Sequence, residues 1–181
     1  MFKSIRLAAT FASVLMMTAV IVGWLFLGAT SADAQPQVLG TDGEACAPGA
    51  HGQAALVRIA GFKDRVGRLR LQFYSDNPET FLDSGNYIRR QEVEMTPVGE
   101  MILCIAVPAP GVYAFVVLHD RDSDGRLSIW SDGVGFSNNP RLALAKPKVG
   151  PMLVEIHEGV TPVPIVMNYR RGLSVGPLPA Q

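Results

Sequence analysis

The feature that most constrains the fold is a series of short apolar segments separated by turn residues. In Arg68 to Tyr74 the side chains of Leu69, Leu71 and Phe73 alternate with polar ones, and this period of two is typical of a half-buried β-strand. Six or seven such segments lie between residues 54 and 169, with Gly, Pro, Asp and Asn between them. The pattern predicts an all-β fold, an antiparallel β-sandwich of six to eight strands.

Two neighbouring segments are apolar on both faces and therefore predicted to be central. They are residues 101–107 and 112–118, and only Pro108-Ala109-Pro110-Gly111 separates them. So short a connection predicts that the two strands pair as a hairpin. Residues 120–150 contain few β-branched residues and no sustained periodicity. They are predicted to form one long loop, and such loops are often functional.

The N-terminus has the pattern of a secretory signal peptide. Lys3 and Arg6 precede a long apolar run that ends at Leu27, and Ala32-Asp33-Ala34 follows. This order predicts a signal peptide over residues 1–34 that is cleaved after Ala34, and export to the periplasm or the medium. The alternative is an uncleaved membrane anchor, because the run is long enough to span a bilayer. The remaining chain divides into a lead-in (35–53), a sandwich domain (54–170) and a flexible tail (171–181).

Charge and cysteine content narrow the classes of function. Without residues 1–34 the chain would carry a net charge of −1. Such a chain has no electrostatic basis for binding nucleic acid, and no stable membrane insertion is expected after signal cleavage.

Cys46 and Cys104 are the two cysteines, and an isolated pair in an exported protein predicts a disulfide. Two free thiols are the alternative.

The candidate site is an acidic stretch that directly follows the strand predicted at residues 112–118. Asp120, Asp122 and Asp124 occupy every second position, and Gly125 follows. Calcium prefers six to eight oxygen ligands, and this spacing supplies three carboxylates before a glycine that allows a sharp turn. The backbone oxygen of Arg126 would be the next ligand. The sequence therefore predicts a possible Ca²⁺ site in residues 120–132, and no other cofactor.

The end of this loop fits calcium less well. Ser131 occupies the position that usually holds a bidentate glutamate, and Asp132 follows it as a possible substitute. Affinity is therefore expected in the range of ~10⁻⁴–10⁻³ M. The alternative is an ordinary turn rich in Asp and Gly, with the basic side chains of Arg121 and Arg126 offsetting the repulsion between the carboxylates.

No catalytic motif is recognisable, and the chain is not expected to be an enzyme. We expect a binding or structural module with an unidentified protein or glycan partner. One alternative is a carbohydrate- or ligand-binding module in which Trp130, in the long loop, stacks on a sugar. Its counter-hypothesis is a hydrophobic cluster of Trp130 and Phe136 under the loop. A second alternative is a hydrolase with His119, beside Asp120, as its base.

Three stretches together resemble a bacterial family of exported proteins known as domain of unknown function 2141. They are His119-Asp120 through Gly125, the segment Gly133-Val134-Gly135-Phe136-Ser137-Asn138-Asn139, and the strand start Pro108 to Tyr113. The resemblance covers residues 54–169 and implies a small prealbumin- or immunoglobulin-like β-sandwich outside the cytoplasm, with no known activity. The chain departs from the family pattern at Ser128, where an acidic residue is usual. In the segment 133–139, Phe136 is expected to be an apolar anchor, and Asn138 and Asn139 to bond backbone groups.

Overall fold

The computed structural model describes residues 37–179, so the predicted signal peptide lies outside the described residues. Within them the chain forms eleven β-strands and two short 3₁₀ helices, at Gly43–Cys46 and Gly150–Met152. The strands are β1 (Val38–Leu39), β2 (Gln53–Ala60), β3 (Arg68–Tyr74), β4 (Arg89–Glu94), β5 (Met101–Val107), β6 (Gly111–Asp120), β7 (Gly133–Phe136), β8 (Leu153–Ile156), β9 (Gly159–Val166), β10 (Asn168–Arg171) and β11 (Ser174–Pro177). The predicted all-β class is confirmed.

The strands form two sheets, as in a β-sandwich. The smaller sheet has the order β1-β5-β2-β9, and the larger has the order β11-β10-β7-β6-β3-β4, with β8 paired to β6. Most pairs are antiparallel, whereas β1 with β5 and β2 with β9 run parallel. Strand β6 is central because β3 lies along one edge while β8 and β7 share the other. The candidate calcium loop therefore leaves the middle of the larger sheet.

The main core lies between the sheets and is made by the inward positions of alternating strands. Leu69, Leu71 and Phe73 are fully buried there, as the alternation in residues 68–74 predicts. Facing side chains come mainly from the smaller sheet, where β2, β5 and β9 contribute Val57, Leu103 and Ile165. Burial of a large aliphatic side chain contributes about 1.5–3 kcal/mol, so this layer fixes the register of both sheets.

The predicted hairpin of residues 101–107 and 112–118 is wrong. β5 lies in the smaller sheet and β6 in the larger one, so the turn between them crosses from sheet to sheet. Both segments are apolar on both faces, so their pattern does not identify their partners. Pro108 and Pro110 also lack the N–H groups that a hairpin ladder requires.

The segment predicted as one long loop contains β7, and much of it packs on the outer face of the larger sheet. Phe136 and Val149 from this segment form a second apolar cluster with Tyr74, Val116 and Met152. The short strand escaped prediction because glycine at two of its four positions removes the alternating side chains that identify a strand.

The predicted disulfide between Cys46 and Cys104 is confirmed, with the two Cα atoms 5.9 Å apart. It joins the first 3₁₀ helix to the fully buried middle of β5. The lead-in is also held by Asp42, whose carboxylate accepts a hydrogen bond of 2.8 Å from the backbone N–H of Ala106. No helix within residues 37–179 is long and apolar enough to cross a membrane.

Candidate calcium-binding site

The three aspartates predicted as metal ligands lie together where β6 ends. One carboxylate oxygen of each of Asp120, Asp122 and Asp124 lies within 4.8 Å of the others. Two oxygens on opposite sides of a calcium ion are separated by at most about 5 Å, because each lies roughly 2.3–2.6 Å from the ion. The spacing of the three oxygens is therefore compatible with one calcium ion between them.

Hydrogen bonds from the backbone of the loop give it its curved shape. The N–H of Gly125 donates to Asp120 Oδ2 at 2.9 Å, and the N–H of Arg126 donates to Asp124 Oδ1 at 2.7 Å. Ser123 and Gly125 have φ of 58° and 78°, the left-handed conformation that glycine adopts without penalty. These contacts curve the chain around the three carboxylates.

Asp120 is the buried member of the group, with 3% of its surface exposed. Its Oδ1 is buried and accepts no hydrogen bond from any of residues 37–179. Burial, together with the nearby carboxylate of Asp132, raises the pKa of Asp120. A buried charged oxygen without a partner is destabilising by more than the roughly 1–3 kcal/mol of a neutral one. A cation in the loop would remove that penalty.

The cation that lies near Asp120 is Arg70 of β3, not one of the basic residues of the loop. Its Nη2 lies 4.0 Å from Asp120 Oδ2, its Nη1 donates to the carbonyl of Gly125 at 2.9 Å, and its Nε pairs with Glu92 at 2.8 Å. Sequence reasoning missed Arg70, because the alternation of residues 68–74 identified it only as an outward-facing side chain of a strand. The register of Arg70 opposite Leu118 brings it beside the loop.

Arg121, which sequence reasoning assigned to offsetting the acidic loop, instead pairs with Asp64 in the turn before β3. Its Nη2 and Nε donate to Asp64 Oδ2 at 2.6 and 3.0 Å, and its Nη1 donates to the carbonyl of Ser131 at 2.8 Å. The hydrogen bond from Arg121 lowers the pKa of Asp64. The pair ties both ends of the loop to the turn. No local pattern in the polar turn could have identified Asp64 as this partner.

Asp132 closes the loop through backbone contacts and is not one of the three clustered carboxylates. Its Oδ1 accepts from the N–H of Arg121 at 3.1 Å, and its Oδ2 accepts from the N–H of Ser128 at 2.8 Å. It is 4% exposed. Its role as a metal ligand, like that of the Arg126 carbonyl, stays a prediction. These contacts make Asp132 the residue that holds the end of the loop close to its beginning.

His119 is fully buried and both its ring nitrogens are engaged. Nε2 lies 2.8 Å from the carbonyl of Val66, and Nδ1 lies 2.7 Å from the hydroxyl of Tyr169. Because a carbonyl only accepts, Nε2 carries the proton and Nδ1 accepts from Tyr169. Burial lowers the pKa of His119 and raises that of Tyr169 to about 12. This arrangement gives no support to a catalytic base at His119.

The segment after β7 is held against the sheet by its polar side chains. Asn138 Nδ2 donates to the carbonyl of Leu153 at 2.8 Å, and Asn139 Oδ1 accepts from the N–H of Val166 at 2.6 Å. Both asparagines have positive φ. The side chain of Phe136 is 4% exposed and lies in the outer cluster. Ser137 is fully buried and its hydroxyl donates to the carbonyl of Met152, so it also holds this segment to the sheet.

Two glycines of β7 occupy positions that admit no side chain. A Cβ on Gly133 would lie 2.3 Å from the Tyr169 ring, and one on Gly135 would lie 2.5 Å from Cγ2 of Ile165. Both glycines face the interior, where β7 crosses close to these two side chains. This packing is the physical reason for a glycine at every second position of Gly133-Val134-Gly135.

Trp130 does not pack under the loop with Phe136. It is 73% exposed, and the guanidinium of Arg170 lies 3.3 Å from the centre of its ring. A sugar stacked on Trp130 would have to displace this cation or use the opposite face of the ring. The hydrophobic cluster that sequence reasoning placed here contains Phe136 but not Trp130.

Comparison with known proteins identifies a family but no characterised relative. No curated protein and no solved structure matches the chain. Residues 57–163, more than half of the chain, match the family described as an uncharacterized protein conserved in bacteria (DUF2141). The matched range includes the acidic loop and the segment from Gly133 to Asn139. The resemblance seen in the sequence is therefore confirmed, and the chain belongs to the DUF2141 family.

Proposed function

We propose that this protein is an exported, non-enzymatic β-sandwich module that binds calcium through the loop beginning at Asp120. The observation that carries the proposal is the buried Oδ1 of Asp120, which accepts no hydrogen bond within residues 37–179. Asp120 belongs to a group of three aspartates, and one carboxylate oxygen of each lies within 4.8 Å of the others. A divalent ion would provide the missing partner and offset the repulsion among the three charges.

The chemistry of the ligands favours calcium over magnesium and transition metals. The site offers carboxylate oxygens and neither histidine nor cysteine, and hard oxygen ligands suit calcium and magnesium. Magnesium requires near-ideal octahedral geometry and gives up its water reluctantly. Two of the three aspartates are exposed, and this open side suits the looser coordination of calcium better.

Export is supported by the disulfide, which forms and persists in oxidising compartments. Removal of residues 1–34 leaves Gln35 as the first residue. Mass spectrometry of the N-terminal peptide, from protein isolated from the periplasm and medium of an expressing bacterium, tests this directly. An intact N-terminus in the membrane fraction would contradict cleavage and favour the anchor.

The calcium proposal is tested by thermal unfolding and calorimetric titration of the full chain. At about 10 mM calcium, a Kd of ~10⁻⁴–10⁻³ M stabilises the folded state by roughly 1.4–2.7 kcal/mol, which raises Tm by roughly 3–11 °C in a domain of this size. Asp120→Asn keeps an acceptor for Gly125 but removes the charge, so the calcium-induced shift should vanish.

Asp76→Asn is the matched control, because Asp76 is an exposed aspartate in another turn. It should leave the shift unchanged. Magnesium at the same concentration should give a smaller shift than calcium. The proposal is refuted if calcium produces neither heat nor a change in Tm, or if Asp120→Asn retains the full effect.

A further inference from the structure

A cavity of about 530 Å³ lies on the outer face of the larger sheet, separate from the three aspartates. Its floor is made by side chains of β6 and β7, among them Val116, Leu118 and Val134, and its walls are the segments 127–129 and 142–147. This volume lies within the ~300–1,000 Å³ typical of sites for small molecules. The segment after β7 thus encloses a space of ligand size against the sheet.

The mouth of the cavity exposes aliphatic side chains. Leu127, Ile129 and Leu144 line it and are 52%, 46% and 50% exposed. The floor is buried, with Val116 at 5% and Leu118 at 8%. Removal of apolar surface from water contributes about 25 cal/mol per Å². An occupant with an aliphatic body would therefore gain affinity from both the floor and the rim.

Three cations line the cavity, and two of them already have anionic partners. Lys146 Nζ lies 2.6 Å from Asp83, and Arg70 Nε lies 2.8 Å from Glu92. Arg170 has no carboxylate within ion-pair distance among residues 37–179. Its Nε donates to the carbonyl of Gly172, and its ring partner Trp130 holds the guanidinium in place. Arg170 is therefore the positioned cation of the cavity that has no carboxylate partner within these residues. Asp132 also lines the cavity, but its two oxygens accept hydrogen bonds from the backbone N–H groups of Arg121 and Ser128.

We propose that this cavity binds a small amphipathic molecule with an aliphatic body and a single carboxylate, the carboxylate pairing with Arg170. The aliphatic lining does not suit a glycan, whose hydroxyls would lose their hydrogen bonds with water. Arginine is suited to the head group because its planar guanidinium can donate two parallel hydrogen bonds to the two oxygens of a carboxylate. The proposal goes beyond calcium binding and does not depend on it. Leu127, Ile129 and Asp132 of the acidic loop line the cavity, but none of the three clustered aspartates does.

The experiment is calorimetric titration of the full chain with octanoate, in the presence of a calcium chelator. We expect saturable binding that Arg170→Gln weakens about tenfold or more, since a hydrogen bond to a charged group contributes roughly 1.5–3 kcal/mol. Arg171→Gln is the matched control, because Arg171 is exposed on the same strand and does not line the cavity. It should bind octanoate as the wild type does. Octanamide, which lacks the charge, should bind equally to the wild type and to Arg170→Gln.

The aliphatic contacts are tested by a second pair of variants whose folding is checked by circular dichroism. Leu144→Ala should weaken octanoate binding severalfold, whereas Leu173→Ala should not, because Leu173 is 89% exposed and lies outside the cavity. Absence of octanoate binding at millimolar concentration would overturn the proposal. Equal loss in Arg170→Gln and Arg171→Gln would overturn it as well. Because calcium is chelated throughout, failure of the calcium proposal would leave these outcomes unchanged.

Discussion

Replacing both cysteines by alanine should destabilise the folded protein by a magnitude that the structure bounds. The bridge spans a sequence separation of 58 residues, and closing a loop of this length restricts the unfolded chain by about 4 kcal/mol at most. Cys104 is fully buried in the middle of β5, so alanine is a better replacement than serine, whose hydroxyl would be buried there. Two small cavities at the sulfur positions add to the loss.

In the folded protein the lead-in is held by non-covalent contacts as well as by the disulfide, so loss of the disulfide should leave the fold intact. Asp42 keeps its hydrogen bond to Ala106 and its 2.5 Å ion pair with Arg89, and Val38 pairs with Ile102 on the edge of β5. These contacts are non-covalent and are lost on unfolding, so they do not replace the restriction that the bridge imposes on the unfolded chain. We therefore expect a loss of about 2–4 kcal/mol, with the larger sheet unaltered.

Urea unfolding of oxidised wild type, reduced wild type and the Cys46→Ala/Cys104→Ala variant measures this loss. Reduced wild type should lose the contribution of the bridge alone, and the variant should be slightly less stable still because of its two cavities. Adding reductant to the variant should change nothing. Amide hydrogen exchange should quicken first in residues 37–52. A difference below about 0.5 kcal/mol between oxidised and reduced protein would refute the reasoning, since it would mean that the bridge does not restrict the unfolded chain.

Two further predictions concern buried positions next to the candidate site. Burial lowers the pKa of His119 below its ordinary 6.5, so as the pH falls the unfolded chain binds a proton before the folded chain does. Neutral His119 therefore contributes fully to stability above pH 6.5, and this contribution is lost as the pH falls from 6.5 through the lowered pKa. Between pH 7.5 and pH 5, the free energy of unfolding measured in urea should fall less for His119→Gln than for the wild type. An equal fall in the two proteins would contradict this. Gly135→Ala would place a Cβ 2.5 Å from Ile165 and should lower the free energy of unfolding by roughly 1–3 kcal/mol. Gly150→Ala, with no atom within 4 Å of its added Cβ, is the control, and equal Tm values for the two variants would refute the packing argument.

The fold class followed from the sequence because strand periodicity is a local property. The alternation of Leu69, Leu71 and Phe73 identifies both a strand and its buried face, and the structure buries all three. Pairing is not local, and it could not be predicted where a segment is apolar on both faces. Residues 101–107 and 112–118 therefore suggested a hairpin, although the structure places them in different sheets.

The candidate site divides in the same way between local and non-local contributions. The spacing of Asp120, Asp122 and Asp124 is visible in the sequence, and the structure brings the three side chains together. Arg70 and Asp64, which hold the loop, come from β3 and from the turn before it. Their roles depend on the register of β3 against β6, which a single sequence does not encode in any short pattern.

The way the loop is held also explains why weak calcium affinity is expected. Asp132 and the pairing of Arg121 with Asp64 fix the two ends of the loop without metal, so little of the binding energy is spent on folding it. The limit is the number of ligands. Ser131 stands where a bidentate glutamate would close the coordination shell, and its hydroxyl already donates to Asp132 while its carbonyl accepts from Arg121. Water would have to complete the shell, which places the affinity near that of weak extracellular sites and makes the ion a modest stabiliser of an already formed domain.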